Sequence, residues 1–176
     1  MTRSAAPGTA LPILAMTAVV LASNVLVQFP INDFLTWGAF TYPASFLVTD
    51  LTVRLQGPAH ARRAVYAGFA FAVLLSLWLA SPRIAFASGT AFLAGQLADI
   101  LVFQRLRRAS WWKAPLVSSM AGSVLDTALF FTLAFAGTGL PFVTLGFGDL
   151  AVKLALATLF LAPFRAVLAF ALPARI

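Results

Sequence analysis

Residues 84–103 read IAFASGTAFLAGQLADILVF. At a rise of 1.5 Å per residue, about 20 such residues make a helix roughly 30 Å long, the thickness of a bilayer's hydrocarbon core. An aspartate, Asp99, stands inside this apolar run. A carboxylate in hydrocarbon is costly, so it is expected to face a partner, a cavity or a solute.

Working outward, five more stretches of similar character cover the rest of the chain. The expected helices are Leu11–Phe29, Thr36–Leu55, Ala64–Leu79, Ile84–Phe103, Ala114–Phe135 and Leu150–Leu172. Pro30 closes the first, Gly57-Pro58 the second, and Ser81-Pro82 the third. Pro163 is expected to kink the sixth. The fold class is therefore an all-α membrane protein, a single domain over residues 1–176 built as a bundle of six transmembrane helices. Composition agrees: 61% of residues are hydrophobic, 10% are charged, and mean hydropathy is +0.95. So few charges cannot cover a soluble surface. The N-terminal segment has too long an apolar run for a signal peptide.

The net charge of +7 does not point to nucleic acid, because the basic residues gather at helix ends. Arg54, Arg62 and Arg63 flank one connector; Arg105, Arg107, Arg108 and Lys113 flank another; Arg3 and Arg175 lie in the tails. By the positive-inside rule these mark the cytoplasmic side, both termini included (N-in/C-in). Only Arg83 marks the far side. Trp37, Trp111 and Trp112 fall where interfacial aromatics belong.

Polar residues form stripes at helical spacing. They are Thr17, Asn24 and Gln28; Tyr42, Ser45, Thr49 and Asp50; Ser88, Gln96 and Asp99; then Ser119, Ser123, Asp126 and Thr127. Four striped helices around one interior predict a polar-lined cavity, with the third helix peripheral. Asp50 and Asp99 should lie about 10 Å from the cytoplasmic helix ends and Asp126 about 16 Å in, so all three carboxylates can converge. Asp50 and Arg54, at i and i+4, allow a structural ion pair as readily as a ligand role. Asp126 has no basic residue within a turn and is the strongest single candidate. Asp149 is expected to cap the sixth helix at the outer face, with Lys153 pairing to it or to an anionic group. Ala94–Phe103 and Ala121–Phe130 both read A-G-x-x-x-D-x-x-x-F. That echo suggests close helix packing at Gly95 and Gly122 beside an inward carboxylate.

Enzymatic readings find little support. Gly146-Phe147-Gly148-Asp149 matches the G-x-G-D of intramembrane aspartyl proteases, but that chemistry needs a second aspartate at dyad distance, and the expected topology keeps Asp149 apart. The sole histidine, His60, falls in a basic connector. No P-loop occurs, and one histidine without cysteine argues against a transition-metal site. No catalytic residue, metal or cofactor is expected.

The same residues carry a family likeness. Ser23–Gln28, Thr36–Phe40, Thr49–Arg54 with Gly57, Ala61, Arg62 and Arg63, Gly95–Asp99, Phe103–Arg107, Trp111–Pro115, Asp126-Thr127, Lys153 and Pro163 together resemble the queuosine precursor transporter family, the VUT/YhhQ group. The likeness runs from the first helix to the sixth. Where many relatives have Asp-Thr-Pro in the sixth helix, this chain has Leu161-Ala162-Pro163, so no carboxylate role carries over there.

The resemblance implies an inner-membrane importer of 7-deazaguanine bases, the cyano and aminomethyl precursors of a modified tRNA nucleoside. On that reading Asp126, Asp99 and Gln96 form the polar end of the site, and Asp50 and Arg54 complete or gate it. Asn24 or Gln96 reads the carbonyl, Phe92, Phe40 or Tyr42 supplies a slot for the flat ring, and Lys153 belongs to the last helix. The alternative is a substrate-binding subunit of a vitamin importer that needs a separate ATPase module. The partners expected are a small-molecule substrate and the lipid bilayer; so small a bundle often forms a homo-oligomer.

Overall fold

Proline and glycine set the element boundaries. The computed structural model describes residues 8–26, 29–32, 35–79 and 81–171. The helices are α1 Ala10–Leu26, α2 Gly38–Thr41, α3 Ala44–Leu55, α4 Pro58–Leu79, α5 Pro82–Leu106, α6 Lys113–Phe135, α7 Phe142–Leu159 and α8 Leu161–Ala171. A short antiparallel ladder, β1 Pro30–Asn32 against β2 Leu35–Thr36, leads from α1 to α2. Gln28 lies outside the described residues.

Two of the six expected helices are broken. Tyr42 and Pro43 keep helical backbone angles between α2 and α3, but Pro43 has no N–H to donate to the preceding turn, so the helix kinks there. The sixth helix breaks at Phe160, with backbone angles of −70° and −9°, three residues before Pro163, whose missing N–H would have bonded the carbonyl of Leu159.

Two other starts fall earlier than expected. α4 begins at Pro58 rather than Ala64, because proline is favoured in the first helical turn. Gly57, at a φ of 94°, ends α3 with its N–H on the carbonyls of Thr52 and Val53. His60 is thus helical, not a loop residue. Ala61, Ala64 and Val65 turn inward while Arg62 and Arg63 stay exposed. α7 begins at Phe142 rather than Leu150, which corrects the reading of Asp149 as a helix cap: it sits two turns inside.

Among the described residues, length and composition suit three helical runs for crossing a membrane, Pro82–Leu106, Lys113–Phe135 and Phe142–Ala171, while Ala10–Leu26 is a shorter apolar helix. Phe147, Leu159 and Phe170 point outward from α7 and α8, as a lipid-facing surface requires.

The centre of the fold is the crossing of α5 with α6. A Cβ on Gly95 would lie 3.0 Å from the Gly122 carbonyl oxygen and 2.9 Å from Asp126 Cβ. A Cβ on Gly122 would lie 2.8 Å from the Gly95 carbonyl oxygen and 3.2 Å from Asp99 Cβ. Each glycine therefore admits the other helix's backbone and seats the other helix's aspartate, as small residues in membrane bundles do. The A-G-x-x-x-D echo is this reciprocal contact. Both ends of the bundle are tied by arginine. Arg54 Nη1 donates to the Arg107 carbonyl at 2.8 Å. Arg83 donates to the carbonyls of Leu133 and Ala136 at the end of α6.

Candidate functional site

Buried polar side chains form a file through the bundle, and α3 carries most of one wall. At its top Tyr42, just before the Pro43 kink, donates its hydroxyl to Asp126 Oδ1 at 2.8 Å. The other Asp126 oxygen meets Lys153 Nζ at 2.7 Å. Lys153 also meets Asp149 Oδ2 at 2.6 Å and donates to Thr127 Oγ1 at 3.0 Å. The Thr127 hydroxyl in turn donates to Asp149 Oδ2 at 2.8 Å. All three ammonium hydrogens thus have acceptors, and Nζ lies 5.3 Å from the Tyr42 ring centroid. Lys153 is 5% exposed. Two carboxylates around one ammonium give this centre an excess of acid.

A turn or two along the file, Gln96 joins α5 to α3. Its Oε1 accepts from Thr49 at 2.5 Å and its Nε2 donates to Ser45 Oγ at 2.8 Å. Next comes Asp50, whose two oxygens accept from Ser118 at 2.8 Å and Ser119 at 2.9 Å. Asp99 lies beside Asp50 and Ser118. It is 0% exposed, and neither of its oxygens has a hydrogen-bond partner. Asp126 packs on Gly95 and Asp99 on Gly122, and Gly95 lies one turn before Asp99, so the two aspartates are roughly 6–9 Å apart along the bundle.

Aromatic rings wall the upper centre. Tyr42 packs edge-on against Phe46 at 6.4 Å and Phe92 at 6.3 Å between centroids. A cavity of about 10 Å³ lies beside Asp50, bounded by Pro115, Ser119 and Phe160. A larger one, about 240 Å³, opens between α6 and α7 and is lined chiefly by apolar groups such as Phe131, Phe142 and Leu150.

Of the residues singled out from sequence, Asp126, Tyr42, Lys153, Gln96, Asp50, Asp99 and Phe92 lie on or against the file. Arg54 does not reach Asp50; it bonds the Arg107 carbonyl at the bundle's end. Asn24 donates to the Val20 carbonyl one turn back on α1 at 2.8 Å. Phe40 is 39% exposed and packs on Trp37.

Asp149 is the clear correction to its outer-face placement. It enters the interior through Lys153, because α7 starts two turns earlier than its composition suggests. An ammonium lies between Asp149 and Asp126, unlike the proton-sharing pair of an aspartyl protease. Ser118 and Phe46 were missed. Ser118 lies eight residues before Asp126, on the same face, and that spacing was the available signal.

Long apolar helices around a buried polar file make this a multi-pass membrane protein. It belongs to the family whose model is described as "Putative vitamin uptake transporter", which matches residues 36–81 and 76–168. The chain is similar to the "Queuosine precursor transporter" of Escherichia coli, 40% identical over 141 residues, 66% of this chain and 64% of that protein. It is similar also to the "Probable queuosine precursor transporter" of Haemophilus influenzae, 36% identical over 186 residues, 82% of this chain and 79% of that one. A Bacillus subtilis protein described in the same words is 27% identical over 130 residues. No solved structure matches the chain.

Proposed function

We propose that the chain carries 7-deazaguanine bases, the queuosine precursors named for its relatives, across the bacterial inner membrane. It would do so as a bundle of six spans with both termini in the cytoplasm. The observation that carries this reading is the upper centre: a buried carboxylate, Asp126, bonded to Tyr42, whose ring packs edge-on against Phe46 and Phe92.

A guanine-type edge presents a ring N–H beside an exocyclic amine, and one carboxylate accepts both in a charge-assisted pair. Asp126 is the group placed to do so once Tyr42 releases it. Asp149, already near Lys153, supplies the second negative charge that an aminomethyl cation would need. Gln96, on α5 below, offers an amide for the base carbonyl. In the form described here Tyr42 and Lys153 occupy both Asp126 oxygens, so these side chains act as placeholders that the solute displaces. The kink at Pro43 and the break at Phe160 let parts of the bundle rock around the site, as alternating access requires.

Calorimetric titration of the detergent-purified protein with the aminomethyl base tests this. Asp126→Asn is expected to weaken binding about 10- to 100-fold, the value of a charge-assisted bond. Equal affinity in wild type and variant removes the site assignment, and no binding by wild type removes the substrate. Uptake by the purified chain alone in vesicles distinguishes a self-sufficient carrier from a subunit that needs a separate ATPase.

A further inference from the structure

We propose that Asp50 and Asp99 form a single proton-binding site, separate from the Tyr42–Asp126–Lys153 centre, through which the chain couples solute movement to protons. The coupling part rests on the carrier reading above; the proton site does not.

The two carboxyl groups are neighbours on α3 and α5, and both are buried. Among the described residues no basic side chain pairs with either. Lys153 is held by Asp126, Asp149 and Thr127. Arg54 is bound to the Arg107 carbonyl. Arg165 of α8 lies over the Trp111 ring at 4.9 Å, and Lys113 of α6 over Trp112 at 5.7 Å. Arg62 and Arg63 of α4 face outward, while His60 lies in the first turn of that helix. Arg105 closes α5. Two adjacent charges without a counter-ion cannot both persist in an apolar interior. One proton held between them leaves a single charge, the arrangement known from acid dyads.

The hydrogen bonds divide the roles. Both Asp50 oxygens accept serine hydroxyls, which suits a carboxylate. Both Asp99 oxygens lack a partner, so Asp99 is the member that takes the proton, as a carboxyl O–H that can turn toward Asp50. Proton binding converts the Asp99 carboxylate to the acid, and release to the other side restores it. The cavity of about 10 Å³ at Asp50 has room for about one water. It abuts Phe160, where α7 breaks from α8.

The same elements connect this pair to the upper centre. Tyr42, which bonds Asp126, precedes α3, and Asp50 lies within it. Gln96 ties α3 to α5 one turn from Asp99. A solute that displaces Tyr42 from Asp126 moves α3 against α5, and so moves Asp50 against Asp99.

Infrared pH-difference spectra of the solute-free purified protein read the site directly. Wild type is expected to show a titrating carboxylic-acid carbonyl band that Asp99→Asn removes and Asp126→Asn keeps. Asp50→Asn should shift or remove the same band, which guards against misfolding of one variant. In vesicles with the outside acidic by one pH unit, wild type should accumulate the aminomethyl base about tenfold for one proton per solute, whereas Asp99→Asn should only equilibrate it. The absence of a titrating band sensitive to Asp99 overturns the proton site. Accumulation driven by sodium rather than by pH overturns the coupling. An intact band in a protein that binds no deazaguanine base supports the proton site and overturns only the substrate reading.

Discussion

The two acidic centres on either side of the glycine crossing are built from the same residue type and solve the burial of charge in opposite ways. Both Asp126 oxygens have a partner. A lysine supplies the counter-charge, a tyrosine the second donor, and a threonine relays to Asp149. Around Asp99 there is no counter-charge among the described residues, and the only donors are the serines that serve Asp50. The first centre is a closed network whose members depend on one another. The second has no cation of its own, and a shared proton takes that place. A carboxylate inside a membrane is thus either matched by a fixed cation or left to titrate, and this fold holds one of each little more than a helical turn apart.

The comparison can be broken most forcefully at Lys153. Lys153→Met leaves Asp126 and Asp149 facing each other without a cation and should destabilise the fold by about 3–5 kcal/mol, the cost of orphaning a buried ion-pair partner. Thermal unfolding in detergent measures it. Adding Asp126→Asn and Asp149→Asn to that variant should recover part of the loss. Independence of Lys153 and the aspartates would show that the network is not one unit.

Next in size is the crossing between the centres. Gly122→Ala would push a methyl to within 2.6 Å of Phe46 and 2.8 Å of the Gly95 carbonyl oxygen, an overpacking worth about 1–3 kcal/mol. It should disturb both centres together, lowering thermal stability and weakening base binding in the same variant.

Smaller still, Ser118→Ala and Ser119→Ala each remove one hydrogen bond from Asp50 and should cost roughly 0.6 kcal/mol, at most about 1.7. Their sharper effect should be on the infrared band assigned to the acid pair, which moves when Asp50 loses its donors. Least of all, Asp99→Asn should leave the melting temperature unchanged or raise it, because the amide keeps a donor beside Asp50 and needs no proton to stay neutral. A large loss of stability there would mean that Asp99 is matched after all.

Much of the file was legible in the residues. Tyr42, Ser45, Thr49 and Asp50 recur at helical spacing, and the α3 wall follows directly. The matched A-G-x-x-x-D motifs carry the α5–α6 crossing, since two glycines facing each other are the means by which helices meet at backbone distance. Other features were not legible. Asp50 and Arg54 have the spacing of an ion pair, yet Arg54 turns to the Arg107 carbonyl, because the chain end of α5 lies across from it. Lys153 lies 27 residues from Asp126, too far for any pattern within one helix to join them. Asp149 was misplaced because the Leu140–Gly148 stretch, with its two glycines, looks like a connector, and packing against Phe131 at Gly146 makes most of it helix.

By itself the sequence determined that this chain lives in a bilayer, that its last helix is interrupted near Pro163, and that its helices carry acids inward. Apolar length, proline and glycine, and 3.6-residue spacing are local properties, readable along one helix at a time. The tertiary structure alone decided which acid is neutralised and which is not. That depends on which side chains from different helices come within about 3 Å of each other, a relation between distant parts of the chain that no local pattern encodes.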